Sequence, residues 1–156
     1  MANYEDTGLQ VQPMDTSTQE FKDFQLLIKA KVQSATLEEK IKIKMLGLKF
    51  QMEDYLNSED ENIIPVGHFV KKALSQLNIK HKTFAKYIDL KSPNLSKLLK
   101  GERKINMEQA LIFENLFDIK AELWIALQTK NQLAQLEKLN RKKFKKYTIK
   151  DLVYEG

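Results

Sequence analysis

Residues 84–103, FAKYIDLKSPNLSKLLKGER, constrain the fold of this chain more than any other stretch. Two short apolar-periodic segments meet at Asp89-Leu90-Lys91, and the second opens on Ser92-Pro93 and closes at Gly101. Proline suits the first turn of a helix, where its missing N–H has no internal partner, and glycine suits the position just past a helix end. The pattern predicts two short helices across a tight turn, a helix-turn-helix, whose second helix has the form that enters a DNA major groove. Leu90, Leu95, Leu98 and Leu99 are the expected core contacts, and Ala85 is small enough for the two helices to cross closely. Ser92 is the expected cap of the second helix. Asn94, Lys97 and Lys100 are then expected to face outward, with Ser92 at the exposed start. Asn pairs bidentately with adenine and Lys donates to guanine, so Ser92, Asn94 and Lys97, assisted by Lys91, are the candidate base-reading residues. Gly101-Glu102-Arg103-Lys104 then supplies a tight turn carrying two cations suited to phosphate.

Charge is distributed unevenly along the chain. Residues 1–65 carry seven lysines against twelve acidic residues, a net of −5. Residues 66–156 carry 19 basic against nine acidic residues, a net of +10. The second part has the field of a polyanion binder, and the first does not. There are no cysteines, which removes disulfides, thiolate metal sites and thiol chemistry. The N-terminal residues MANYEDTGLQ do not read as a signal peptide. No apolar run approaches the roughly 20 residues that a membrane span needs. A cytoplasmic setting with no membrane partner is the expectation.

The organisation expected along the chain is a flexible tail over 1–16, an N-terminal helical extension over 17–57, a linker over 58–65, a helix-turn-helix domain over 66–139 and a basic tail over 140–156. Ser17 and Glu20 have capping-box spacing, and Phe21, Phe24, Leu27, Ile28 and Val32 follow at three- and four-residue steps. Ser34 or Thr36 is placed to cap a second helix, striped by Leu37, Ile41, Met45, Leu48, Met52, Tyr55 and Leu56. That broad apolar face is core, or else a seam for a partner. NSEDENIIP, residues 57–65, has linker composition. Five helices are expected next, the first ending near Asn78, a residue that accepts the left-handed conformation. The fourth is expected to start at a capping box of Asn106 and Gln109. Strand signal is confined to Tyr147–Tyr154. The overall expectation is all-α: a five-helix domain of lambda-repressor type preceded by a helical hairpin.

Residues 66–137 resemble the lambda-repressor/Cro (Xre) group of helix-turn-helix proteins, through Phe84, Ala85, Ile88, Leu90, Leu95, Gly101 and Arg103. Residues 106–134, NMEQALIFENLFDIKAELWIALQTKNQLA, narrow the resemblance to the HigA-type antitoxins, or plasmid-maintenance antidote proteins. The narrower signature is Ala110-Leu111, Phe117 and the run from Glu122 to Gln128. The resemblance implies an antitoxin that represses its own operon as a homodimer on double-stranded operator DNA and neutralises a small HigB-like toxin. The phosphate contacts would then be His81, Lys82, Lys100, Arg103 and Lys104. Leu123, Trp124 and Leu127 are the dimer-interface candidates, with Trp124 also reading as a core residue. The toxin would be held elsewhere, with the N-terminal helices at 18–57 as the candidate surface. The chain departs from the family pattern at Lys80, where a Ser cap is usual, at His81 in place of Gln, at Asp89 in place of a turn glycine, and at Lys120-Ala121 in place of Ser-Pro. A stand-alone or phage-type regulator without a toxin is the alternative.

Enzymatic activity is not expected. The acids Glu38-Glu39 and Glu53-Asp54 lie on helical faces with no nucleophile–base set. His68 and His81 are far apart in sequence, so no metal site or cofactor is expected. The basic cluster 141–146 reads either as a solvated tail or as a second phosphate-tracking segment.

Overall fold

Periodic apolar stripes separated by turn signals give eight helices among the described residues of the computed structural model, residues 19–59 and 61–155. They are α1 (Gln19–Ser34), α2 (Leu37–Asn57), α3 (Val66–Gln76), α4 (His81–Tyr87), α5 (Ser92–Leu99), α6 (Met107–Phe117), α7 (Ala121–Lys145) and α8 (Ile149–Glu155). The described part of the chain is all-α. The tail expected over 1–16, the Ser17 cap and the Val32 side chain lie outside the described residues. Tyr147–Tyr154, where a strand signal was read, is helical from Ile149; Thr148 starts the helix by accepting from the Asp151 N–H at 3.3 Å. The apolar residues 149, 152 and 153 have helical spacing, which local capping reinforces.

The chain divides into two compact units, residues 1–40 and 41–156. In the first unit α1 leaves Phe24, Leu26, Leu27 and Ile28 exposed. Thr36, rather than Ser34, caps α2 by accepting from the Glu39 N–H at 3.2 Å, while Ser34 Oγ turns back to donate to the Lys31 carbonyl.

In the second unit the boundary falls inside α2, not over 58–65. Met45, Leu48, Met52 and Tyr55 of α2 lie in the same core as residues from α3 to α7. Lys44 Nζ donates to the Gln76 carbonyl at the end of α3 (3.0 Å), and Lys72 Nζ donates to Gln51 Oε1 (2.6 Å). The core centres on Phe84, Phe113, Phe117 and Trp124, whose ring centroids lie 5.2–6.3 Å apart in the pairs that touch. Trp124 satisfies its indole N–H on the Ile119 carbonyl at 3.1 Å. That hydrogen bond removes the usual cost of burying a Trp donor.

A second network joins segments distant in sequence. The Tyr55 hydroxyl donates to Asn131 Oδ1 at 2.5 Å and accepts from the Ile64 N–H at 3.0 Å. Asn131 Nδ2 then donates to the Ile64 carbonyl at 2.8 Å. Lys130 Nζ donates to the Tyr55 and Ser58 carbonyls and lies 4.3 Å from the Tyr55 ring centroid. A cation on the last carbonyls of α2 complements the negative end of that helix dipole. Segment 58–65 is thereby tied down at both ends.

Candidate nucleic-acid interface

The surface built around α5 begins with how α4 ends. Asp89 takes a left-handed φ of 55°, its N–H reaches the Lys86 carbonyl at 3.3 Å, and the Leu90 N–H reaches the Ala85 carbonyl at 2.8 Å. This Schellman closure satisfies the final carbonyls of α4 and turns Leu90 back over the helix it has just left. Asn78 closes α3 in the same way, with the Ile79 N–H on the Leu74 carbonyl at 2.8 Å. Gly101 closes α5, with the Glu102 N–H on the Lys97 carbonyl at 2.9 Å. One local device thus sets the direction of three successive connections.

The α5 helix packs against α3 and α4. Leu95, Leu98 and Leu99 are buried, and Leu90 is half-buried against the same core. Gly67 is the reason α3 and α5 can lie so close: a Cβ at that position would sit 1.8 Å from the Leu98 carbonyl oxygen. At Gly101 a Cβ would sit 2.6 Å from Pro65 Cβ, so both ends of this junction depend on glycine.

Ser92 is the first residue of α5 and does not cap it. The flanking residue is Lys91, which makes no side-chain cap bond. Proline in the first turn already removes one of the N–H groups that a cap would satisfy. Lys80, before α4, likewise makes no cap bond. The capping box expected before α6 is present: the Gln109 N–H donates to Asn106 Oδ1 at 2.7 Å, and Gln109 Oε1 accepts from the Asn106 N–H at 3.0 Å.

Lys91, Ser92, Lys97 and Lys100 are exposed, whereas Asn94 is half-buried on the flank of α5. His81 and Lys82 are exposed at the start of α4, and Arg103 and Lys104 on the turn after α5. Ser96 was missed: it is exposed on the outer face with Lys97 and Lys100. Its signal was its position one turn after Ser92, which puts both on one side of a helix. Gly67 was also missed, because a glycine in the first turn of a helix gives no hint of what it approaches.

The dimer-interface candidates require correction. Trp124 and Leu127 are both 0% exposed and form part of the core, so neither offers surface to a second copy. Leu123 is half-buried against that core. The apolar surface in this region lies between α6 and α7, in a groove lined by Met107, Ala110, Leu111, Ala121, Ile125 and Ala126, with the exposed Glu122 at its edge. Met107 is 68% and Leu111 54% exposed.

Among the described residues there is no cluster of three or more His, Cys, Asp or Glu side chains placed to hold a metal ion, and no helix long and apolar enough to cross a membrane. Comparison with family models, with curated proteins and with solved structures returns no match.

Proposed function

We propose that this chain is a DNA-binding repressor of the lambda-repressor/Cro kind, acting as the antitoxin of a toxin–antitoxin pair. In this reading α4 and α5 are the helix-turn-helix, and α5 enters the major groove. The observation that carries the reading is the division of α5 into two faces. Leu95, Leu98 and Leu99 fix the helix to the core, while Ser92, Ser96, Lys97 and Lys100 stay outside it. Exposed His81 and Lys82 before that face, and Arg103 and Lys104 after it, flank it where phosphate contacts would set the register. Histidine in that group need only donate from its ring N–H to serve. A homodimer would set two copies of α5 roughly 34 Å apart on a palindromic operator. The α6–α7 groove is the surface such a dimer would bury.

The antitoxin role rests on apolar surface that the DNA-facing half does not use. In α1, Leu26 and Leu27 are exposed beside Phe24 and Ile28. Removing residues 1–60 would not test this role, because it would also remove Met45, Leu48, Met52 and Tyr55 from the core. The appropriate test replaces Phe24 and Leu27 with serine in the full chain. Co-expression with the small protein encoded beside this gene should then fail to restore growth, while duplex binding is retained. Unaltered neutralisation would assign the toxin to another surface. Absence of any neighbouring toxin would favour a stand-alone regulator.

A further inference from the structure

Beyond the α4–α5 surface, we propose that the distal part of α7 is a second DNA-contacting element, an arm that follows the phosphate backbone outward from the Arg103–Lys104 turn. This inference rests on the DNA-binding reading above. Its first support is attachment. Gln128 Oε1 accepts from the Ile105 N–H at 2.8 Å and Gln128 Nε2 donates to the Ile105 carbonyl at 2.9 Å, which binds the end of the Arg103–Lys104 turn to α7. One turn and two turns further along α7, Gln132 and Gln135 line the same recess as Gly101, Arg103 and Lys104.

The second support is direction. Residues 128, 132 and 135 share one face of a helix, and the same face continues through 138 and 139, up to the break at Asn140. That path runs from glutamine to lysine, at Lys138. Residues 133–139 and 141–150 are exposed, so the helix has left the core by this point. At about 1.5 Å per residue, Lys138 stands about 9 Å beyond Gln132. Asn140 then departs from helical geometry, with φ −132° and ψ 30°, and redirects the chain as the basic run begins.

The third support is charge. Arg141, Lys142, Lys143, Lys145 and Lys146 put five cations into six residues, and all are exposed. Lys143 and Lys146 lie over the neighbouring Phe144 and Tyr147 rings, 5.9 and 5.2 Å from the ring centroids. Neither ion pair recorded among the described residues, Lys49–Glu53 or Lys120–Glu114, involves this segment. A two-fold contact of the arm with its own copy would set these five charges against five more. A duplex supplies one negative charge per about 1.7 Å of axis, which matches a row of cations on an extended element.

The test compares the full chain with a variant carrying Arg141→Gln, Lys142→Gln, Lys143→Gln, Lys145→Gln and Lys146→Gln, on a duplex from the gene's own upstream region. Each phosphate contact contributes about 0.9 to the slope of log K against log salt, so losing three to five contacts should reduce the slope by roughly 2.7–4.5. The nuclease footprint should shorten at both ends, with base preference unchanged. An unchanged slope and footprint would overturn the arm and leave the α5 reading standing. If the parent chain binds no duplex at low salt, both readings fall. If the substitutions abolish binding to anionic phospholipid vesicles and leave duplex binding untouched, the arm belongs to a membrane surface and the DNA assignment is overturned.

Discussion

Gly67 in α3 faces the Leu98 carbonyl in α5 so closely that a methyl group at residue 67 would lie 1.8 Å from that oxygen. The obstruction is backbone, the Leu98 carbonyl carbon and Leu99 Cα included, so no side-chain rotation relieves it. Gly67→Ala must therefore push α5 away from α3. Overpacking of this kind typically costs about 1–3 kcal/mol. Urea denaturation should show a lower midpoint with little change in slope. Duplex affinity should fall beyond what the loss of folded protein explains, because the helix that would face DNA has moved.

Tyr55 and Asn131 are 76 residues apart and share a 2.5 Å hydrogen bond. Tyr55→Phe leaves Asn131 Oδ1 and the Ile64 N–H without the hydroxyl that joins them. An unsatisfied buried polar group costs about 1–3 kcal/mol. Thermal unfolding should show that loss, while the salt dependence of duplex binding in the folded range stays the same.

Asn106 and Gln109 close the N-terminus of α6 reciprocally. Asn106→Ala removes the cap and should cost about 1 kcal/mol. Asn106→Ser should recover most of it. If both variants lose the same stability, the bond does not contribute through capping.

The α6–α7 groove makes a prediction about assembly. Leu111→Glu with Ile125→Glu places two charges in an apolar groove between Met107 and Ala126. Sedimentation should show the parent chain as a dimer and the double variant as a monomer. Duplex affinity should then fall steeply, since on the proposed reading one α5 would reach only a half-site. An unchanged sedimentation coefficient would remove this groove as the interface.

Local signals were legible in the sequence where a single residue type carries the physics. Asn78 sits at a left-handed helix end, and the Asn106–Gln109 box forms as its spacing implies. The buried positions of Leu95, Leu98 and Leu99 follow from helical period alone. Four features did not follow. Ser92 reads as a cap but begins the helix, because boundaries shift by one residue and Pro93 already suits the first turn. Trp124 takes its core reading rather than its alternative one at a dimer interface, and Leu127, a dimer-interface candidate, is taken by the same core. The stripe of residues 37–56 reads as core or as a partner seam, and from Met45 it is core; periodicity could not say that this core is shared with α3 to α7 rather than belonging to a separate extension. Gly67 and the Tyr55–Asn131 bond depend on contacts between distant segments, and no local pattern announces them.

Binding of the full chain to a duplex from its own upstream region, followed by fluorescence anisotropy across about 50 to 200 mM salt, tests the central claim most directly. The account predicts a linear fall of log K with log salt, with a slope reporting several phosphate contacts. Lys97→Ala, on the outer face of α5, should weaken binding and relax preference at one base position by about 1–3 kcal/mol. Absence of duplex binding at the lowest salt, or an affinity indifferent to both salt and Lys97, would contradict it.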